Sequence, residues 1–256
     1  MGFGNLRPPS PAWLAPMLLM ACSTAAATVH YEGFAYAKGT QRLLYREQHW
    51  LLKEGAERLV VYRCPGGEAF ARKRVSGKGA TPDFEFFDAR NGYVEGVRSR
   101  GGRREVFTRA SSGAPEQSSA LTPGDVQIID AGFDSFVRQQ WDALTPPNAT
   151  RVSFLVPSRL QPMGFRLSPS DGKAGSRRYR LSLDTWYGRA LPGMSVVYSA
   201  RGSRLLQYEG IGNIRDDAGT YPTVRIEFPP ERHRVASGAE VAIAASTPLA
   251  ASCKAS

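Results

Sequence analysis

The chain has 256 residues and a net charge of +10, from 33 Lys and Arg against 23 Asp and Glu. A hydrophobic fraction of 42% with 10% aromatics supports a buried core and excludes an intrinsically disordered body. Gly (26) and Pro (18) are numerous without a fixed period, which suits tight turns between short strands and excludes a collagen-like repeat.

Residues 1–27 carry a short basic start (the Met1 amine and Arg7), an apolar run from Ala12 to Ala21, and small residues ending in Ala25-Ala26-Ala27. That order is the order of a secretory signal peptide. The apolar run is about half of the ~20 residues a spanning helix needs, and Pro16 interrupts it. Cleavage after Ala27 would start the mature chain at Thr28. Leu19-Met20-Ala21-Cys22 offers an alternative, because it resembles the lipobox in which a cysteine is lipidated and becomes the new terminus. The expected location is the periplasm, either free or anchored to a membrane through Cys22. Export argues against a nucleic-acid partner despite the charge. The basic clusters at 72–74, 98–104 and 177–180 lie in separate segments near expected turns, with no nucleic-acid-binding signature beside them.

After residue 28 the chain becomes a succession of short alternating segments separated by turn residues, the pattern of antiparallel sheet. Val29–Tyr36 and Arg42–Trp50 flank Lys38-Gly39-Thr40 as a hairpin. Arg58–Tyr62 and Ala69–Val75 flank Cys64-Pro65-Gly66-Gly67, a turn by composition. Phe84–Asp88 passes through Asn91-Gly92, the strongest short hairpin signal, into Tyr93–Ser99, and Gly101-Gly102 turns the chain into Arg104–Thr108. The second half offers Arg151–Val156, Arg178–Trp186, Ser195–Ser199, Arg204–Glu209 and Tyr221–Phe228. Residues 110–124 and 168–175 are polar and rich in small side chains, and read as exposed loops. The expectation is one mostly β domain over 28–235, a curved antiparallel sheet or incomplete β-barrel of about a dozen strands.

One segment follows a different period. Phe133, Phe136, Val137, Trp141 and Leu144 form one stripe of a helix that Asp134 favours at its start and Thr145-Pro146-Pro147 ends. This principal helix must lay its stripe on the sheet or over the mouth of a cavity. Residues 236–256 are Ala- and Ser-rich with weak patterning and are expected to be a poorly ordered tail. Cys64 and Cys253 either pair, as an oxidising compartment allows, or remain as two thiols.

Motifs for chemistry are sparse. The three histidines, His30, His49 and His233, form no zinc-protease pair, no CxxC occurs, and no Gly-x-Ser-x-Gly elbow is present, so no metal or cofactor is expected. Gly210-Ile211-Gly212 begins like a dinucleotide loop but has Arg215 where the third glycine belongs. Asn213, Asp216 and Asp217 form the one polar constellation, which reads as a hairpin tip or, as the alternative, a cation or acid–base site.

The segment SVVYSARGSRLLQYEGIGNIRDDAGTYPTVRIEF (195–228), with the signal peptide and the helix-interrupted strand series, resembles the lipoprotein-carrier (LolA/LolB-like) superfamily and related periplasmic proteins. The resemblance implies a curved, incomplete barrel around a hydrophobic cavity capped by helices, acyl-chain binding, and no catalysis. The functional expectation is therefore an exported protein that binds or carries an apolar, lipid-like ligand near a membrane surface. Its ligand-binding residues would be Phe133, Phe136, Val137 and Trp141. The alternatives are an envelope structural or interaction protein, anchored through Cys22, and a hydrolase using Asp216 or Asp217.

Overall fold

The alternating segments pair as expected in a computed structural model, which describes residues 1–2, 27–173, 175–186, 193–201 and 204–254. The signal peptide and Cys22 lie outside the described residues. The first half of the sheet comprises β1 (Thr28–Ala37), β2 (Leu43–Leu52), β3 (Glu57–Arg63), β4 (Ala69–Ser76), β5 (Asp83–Asp88), β6 (Tyr93–Arg100), β7 (Arg103–Arg109) and β8 (Gln117–Ala120). The second half comprises β9 (Thr150–Val156), β10 (Gln161–Asp171), β11 (Ser176–Leu183), β12 (Met194–Ser199), β13 (Leu205–Ile211), β14 (Thr223–Glu227) and β15 (Arg234–Ala236). Helix α1 (Gly132–Gln139) joins the halves, and α2 (Gly238–Ser246) follows β15.

The strand order is β8-β7-β6-β5-β4-β3-β2-β1-β14-β13-β12-β11-β10-β9, with β15 paired to β1. Every strand pair is antiparallel. Each half is thus a meander of hairpins, and the two are stitched together where β1 meets β14. The end strands β8 and β9 do not pair, so the sheet is open. It nevertheless curves round, because the 3-10 turn Pro157–Arg159 after β9 reaches β6 and β7. The free edge of β9 is partly covered: Gln127 and Ile128 donate their N–H groups to the Ser153 carbonyl, and Leu155 N–H returns to the Ile128 carbonyl. Covering an edge satisfies backbone groups that would otherwise recruit another chain.

Four expectations need correction. Residues 168–171 are the end of β10, where Arg166, Ser168 and Ser170 alternate with buried Phe165, Leu167 and Pro169, so a strand with a polar outer face had the composition of a loop. β8 lies within 110–124, where all of its residues are exposed and supply no hydrophobic period. The main helix ends at Gln139, and the chain continues to Leu144 as turns. The segment 236–256 is not a loose tail. Ser237-Gly238-Ala239-Glu240 carries a helix-starting pattern, and Ser237 Oγ accepts the Glu240 N–H at 3.2 Å. The resulting α2 packs Ala244, with Val241 and Ala245, against Trp50, Leu59 and Val61 on the convex face. Arg72 and Arg74 donate to the carbonyls of Ala244, Ala245 and Thr247 at its C-terminal end, where the helix dipole favours cations. Beyond α2, Cys253 is disulfide-bonded to Cys64, and Ala250 N–H donates to Ala69 O at 2.7 Å.

Candidate functional site

Side chains of one parity on β1–β7 face the concave interior, and register turns them into rows. Tyr31, His49, Val60, Lys73, Phe86, Glu95 and Thr108 are successive partners across seven strands. Beside them run Gly33, Glu47, Tyr62, Ala71, Asp88 and Tyr93. Aromatic and aliphatic members build the core, yet Glu47, His49, Lys73 and Glu95 are each at least nine-tenths buried within it. A charge buried this deeply survives only with partners.

The partners are present in part. The Glu47 carboxylate lies 3.0 Å from His49 Nε2, and Tyr93 donates its hydroxyl to Glu95 at 2.6 Å. Lys73 Nζ donates to Asp130 Oδ1 at 2.6 Å and lies over the rings of Phe84 and Phe86. Asn213 Nδ2 donates to the Tyr62 hydroxyl at 2.9 Å, and the Arg215 guanidinium stacks 3.7 Å over the Tyr93 ring. Burial raises the Glu95 carboxyl above its ordinary value against the opposing pull of Tyr93 and Lys73. Burial also lowers the His49 imidazole despite Glu47, so His49 is a neutral ring that donates from Nε2. Burial pushes Tyr31 up to about 12 and raises Tyr45 and Tyr62 well above the ordinary phenol value, leaving all three phenols neutral. His49 Nδ1, Asp130 Oδ2, Tyr45 Oη and Asn213 Oδ1 remain buried without a protein partner.

Helix α1 closes this interior from the other side. Gly132 starts it where a Cβ would fall 2.1 Å from the Ala80 carbonyl oxygen, so only glycine allows this close approach. Just before it, Asp130 adopts φ of 43° and directs its carboxylate at Lys73. Asp134, one turn on, lies 3.4 Å from Arg58 on β3. Burial first, then the Asp134 charge, raises the Tyr198 hydroxyl on β12. One carboxylate thus acts on both walls of the curved sheet, and α1 sits between them.

The four residues expected to bind ligand come together on α1 and the turn that follows it. Val137 is fully buried, and Phe133, Phe136 and Trp141 are half-buried, against a cluster that includes Ile128, Val152, Phe165, Leu167 and Tyr179. Trp141 meets Tyr179 and Tyr198 edge-on at 6.1 and 6.2 Å, with the Arg177 guanidinium 4.3 Å over its ring. Phe133 leans on Phe154 at 6.4 Å. The stripe packs directly on the concave sheet. Two hollows, of about 480 and 410 Å³, lie elsewhere and are lined by none of these four. Asp216 and Asp217 do not converge with Asn213. Asp216 accepts the N–H groups of Ala218 and Thr220 and the Thr220 hydroxyl at an exposed hairpin tip, while Asn213 turns inward to Tyr62.

The buried polar rows escaped the sequence reading, although a signal was there. Tyr45, Glu47 and His49 share one parity of β2, as do Ala71, Lys73 and Val75 on β4 and Tyr93, Glu95 and Val97 on β6. An ionisable side chain on the apolar parity of several strands marks a polar interior.

No family model matches the chain, and no curated protein matches it. A search of solved structures finds the crystal structure of a beta-barrel-like protein of domain of unknown function DUF1849 from Brucella abortus. That match has 9% identity and a TM-score of 0.43, and covers 82% of this chain and 97% of that one.

Proposed function

We propose that this protein is a non-catalytic, periplasmic binding protein that carries an amphipathic, lipid-like ligand in the lumen of its half-barrel, with α1 as a displaceable plug. The observation that carries this reading is the set of orphaned polar atoms in the concave interior. His49 Nδ1 and Asp130 Oδ2 are acceptors, so what they lack is a donor, and Tyr45 Oη and Asn213 Oδ1 extend the unmet positions. Hydroxyl or amine groups of a ligand head would meet them when α1 lifts. The apolar part of the ligand would take over the contacts of Phe133, Phe136, Val137 and Trp141. The plug is suited to release, because Lys73–Asp130 and Arg58–Asp134 pin it by polar groups that water can also satisfy. The Cys64–Cys253 bond supports an oxidising compartment, and with the signal peptide it favours the periplasm. The resemblance to lipoprotein carriers agrees with this reading and does not fix membership of that superfamily.

Protein purified from the cell envelope without detergent, then extracted and examined by lipid mass spectrometry, should yield a bound amphiphile. Trp141→Ala should reduce its amount by more than the fraction of protein that the substitution unfolds. That comparison is needed because truncating a buried Trp costs about 3–5 kcal/mol whatever its role. Absence of any bound amphiphile from the parent protein would defeat the proposal. The competing reading is an envelope scaffold, tethered through Cys22 in its lipidated form. It is favoured by the direct packing of the α1 stripe on the sheet, and it predicts a permanently seated plug.

A further inference from the structure

The convex face of the second half holds a different kind of hollow. It measures about 410 Å³ and is lined by Ala149, Arg166, Ser168, Arg180 and Ser182. Register explains the arrangement. On β10 and β11, Arg166 stands opposite Ser182 and Ser168 opposite Arg180, so guanidinium and hydroxyl alternate around the hollow. The two arginines are diagonal neighbours, about 7–8 Å apart between backbones and somewhat less between Cβ atoms in a sheet of this kind. Beneath them, Phe165, Leu167, Tyr179 and Leu181 are the opposite parity of the same strands and are buried, which holds the backbone of the hollow rigid.

The charges there are not balanced. Arg151 stands directly opposite Arg166, and among the described residues the carboxylate paired with them is Asp184, 2.8 Å from Arg151 and 3.9 Å from Arg166. Arg180 is exposed and enters no ion pair among the described residues, and Arg178 bonds only the Ser195 hydroxyl, at 3.0 Å. Like charges this close on one sheet face destabilise it unless an anion lies between them. Two planar guanidinium forks, which only donate, and two hydroxyls able to donate face a common space, and a tetrahedral oxyanion accepts from such groups.

We propose that this hollow is a binding site for a phosphate group, with Arg166 and Arg180 as the charge-bearing ligands and Ser168 and Ser182 as neutral donors. The group comes from free phosphate or from the headgroup of an anionic lipid, and the two sources are separable. The test uses the full disulfide-bonded protein. Inorganic phosphate binding is measured by calorimetry, and flotation is measured with phosphatidylglycerol/phosphatidylcholine vesicles and with vesicles of phosphatidylcholine alone. R166Q/R180Q should weaken phosphate or phosphatidylglycerol binding at least fivefold. R100Q/R103Q, which removes the same net charge at the distant β6–β7 hairpin, should leave it within twofold. Where the double variant fails to fold, R180Q alone serves, because that exposed side chain holds no ion pair. Binding of phosphate without vesicles supports a soluble phosphate compound as the ligand. Binding of anionic vesicles supports a headgroup. The proposal is overturned if the parent binds neither probe, if R166Q/R180Q or R180Q retains parental binding, or if the R100Q/R103Q control loses as much.

Discussion

Replacing Lys73 by Met removes the one ammonium buried in the concave interior and tests how α1 is held. The Lys73 side chain is 6% exposed and that of Asp130 is 19%, with 2.6 Å between Nζ and Oδ1. Met keeps most of the apolar stem and its packing on Phe84 and Phe86, so the loss is chiefly electrostatic. Two carboxylates then suffer: Asp130 loses its partner, and Glu95 loses a cation that favours its ionised form. Breaking a buried pair from one side costs about 3–5 kcal/mol, and the partial exposure of Asp130 places this case near ~3 kcal/mol. Asn is the appropriate second change, because it tolerates the positive φ of Asp130 and carries no charge. Urea unfolding followed by tryptophan fluorescence should show K73M/D130N less destabilised than the sum of the single variants by about 1–3 kcal/mol. A K73M cost below about 1 kcal/mol, or strict additivity, would refute the claim that this pair pins the plug.

Three further outcomes follow from the same structure. The disulfide spans 189 residues, for which the chain-entropy relation gives about 5 kcal/mol as an upper figure, so Cys253→Ser should lower the urea midpoint sharply, and protein beginning at Thr28, which lacks Cys22, should show no free thiol on alkylation. Burial holds His30, His49 and His233 below their ordinary value of 6.5, so the unfolded chain binds more protons on acidification, and the stability contributed above pH 6.5 is lost as pH falls through the lowered values. His49→Gln should flatten that loss between pH 7 and 5 in denaturation measured across pH, and an unchanged slope would contradict a buried neutral His49. Gly132→Ala would drive a methyl into the Ala80 carbonyl, costing about 1–3 kcal/mol by overpacking, and a neutral melting temperature would mean that α1 does not start as described.

Hairpins were the legible part of this chain. Asn91-Gly92, Gly101-Gly102 and Pro65-Gly66-Gly67 mark turns because their backbone needs positive φ or a fixed bend, and the structure has Gly67, Gly92, Gly101 and Gly102 at positive φ. The α1 stripe was legible because its spacing matches one helical face, although the extension to Leu144 was not helix. What escaped notice depended on partners distant in sequence. β10 is a strand because β9 and β11 flank it, and α2 is ordered because Trp50, Leu59, Arg72 and Cys64 receive it. The polar rows needed register, since Glu47, Lys73 and Glu95 come onto one face only when five strands are aligned.

The central claim is that α1 is a plug whose displacement opens a ligand-binding lumen, and equilibrium binding of N-phenyl-1-naphthylamine, an apolar amine, tests it most directly. Asp134→Ala removes the carboxylate that acts on Arg58 and Tyr198, raises the fraction of protein with α1 lifted, and should tighten apparent affinity in proportion to that fraction. The account predicts saturable one-to-one binding at least threefold tighter in D134A than in the parent, with cooperative urea unfolding retained and Phe136→Ala in the D134A background weakening it again. Equal binding by parent and D134A, or no saturable binding by either while both remain folded, would contradict it.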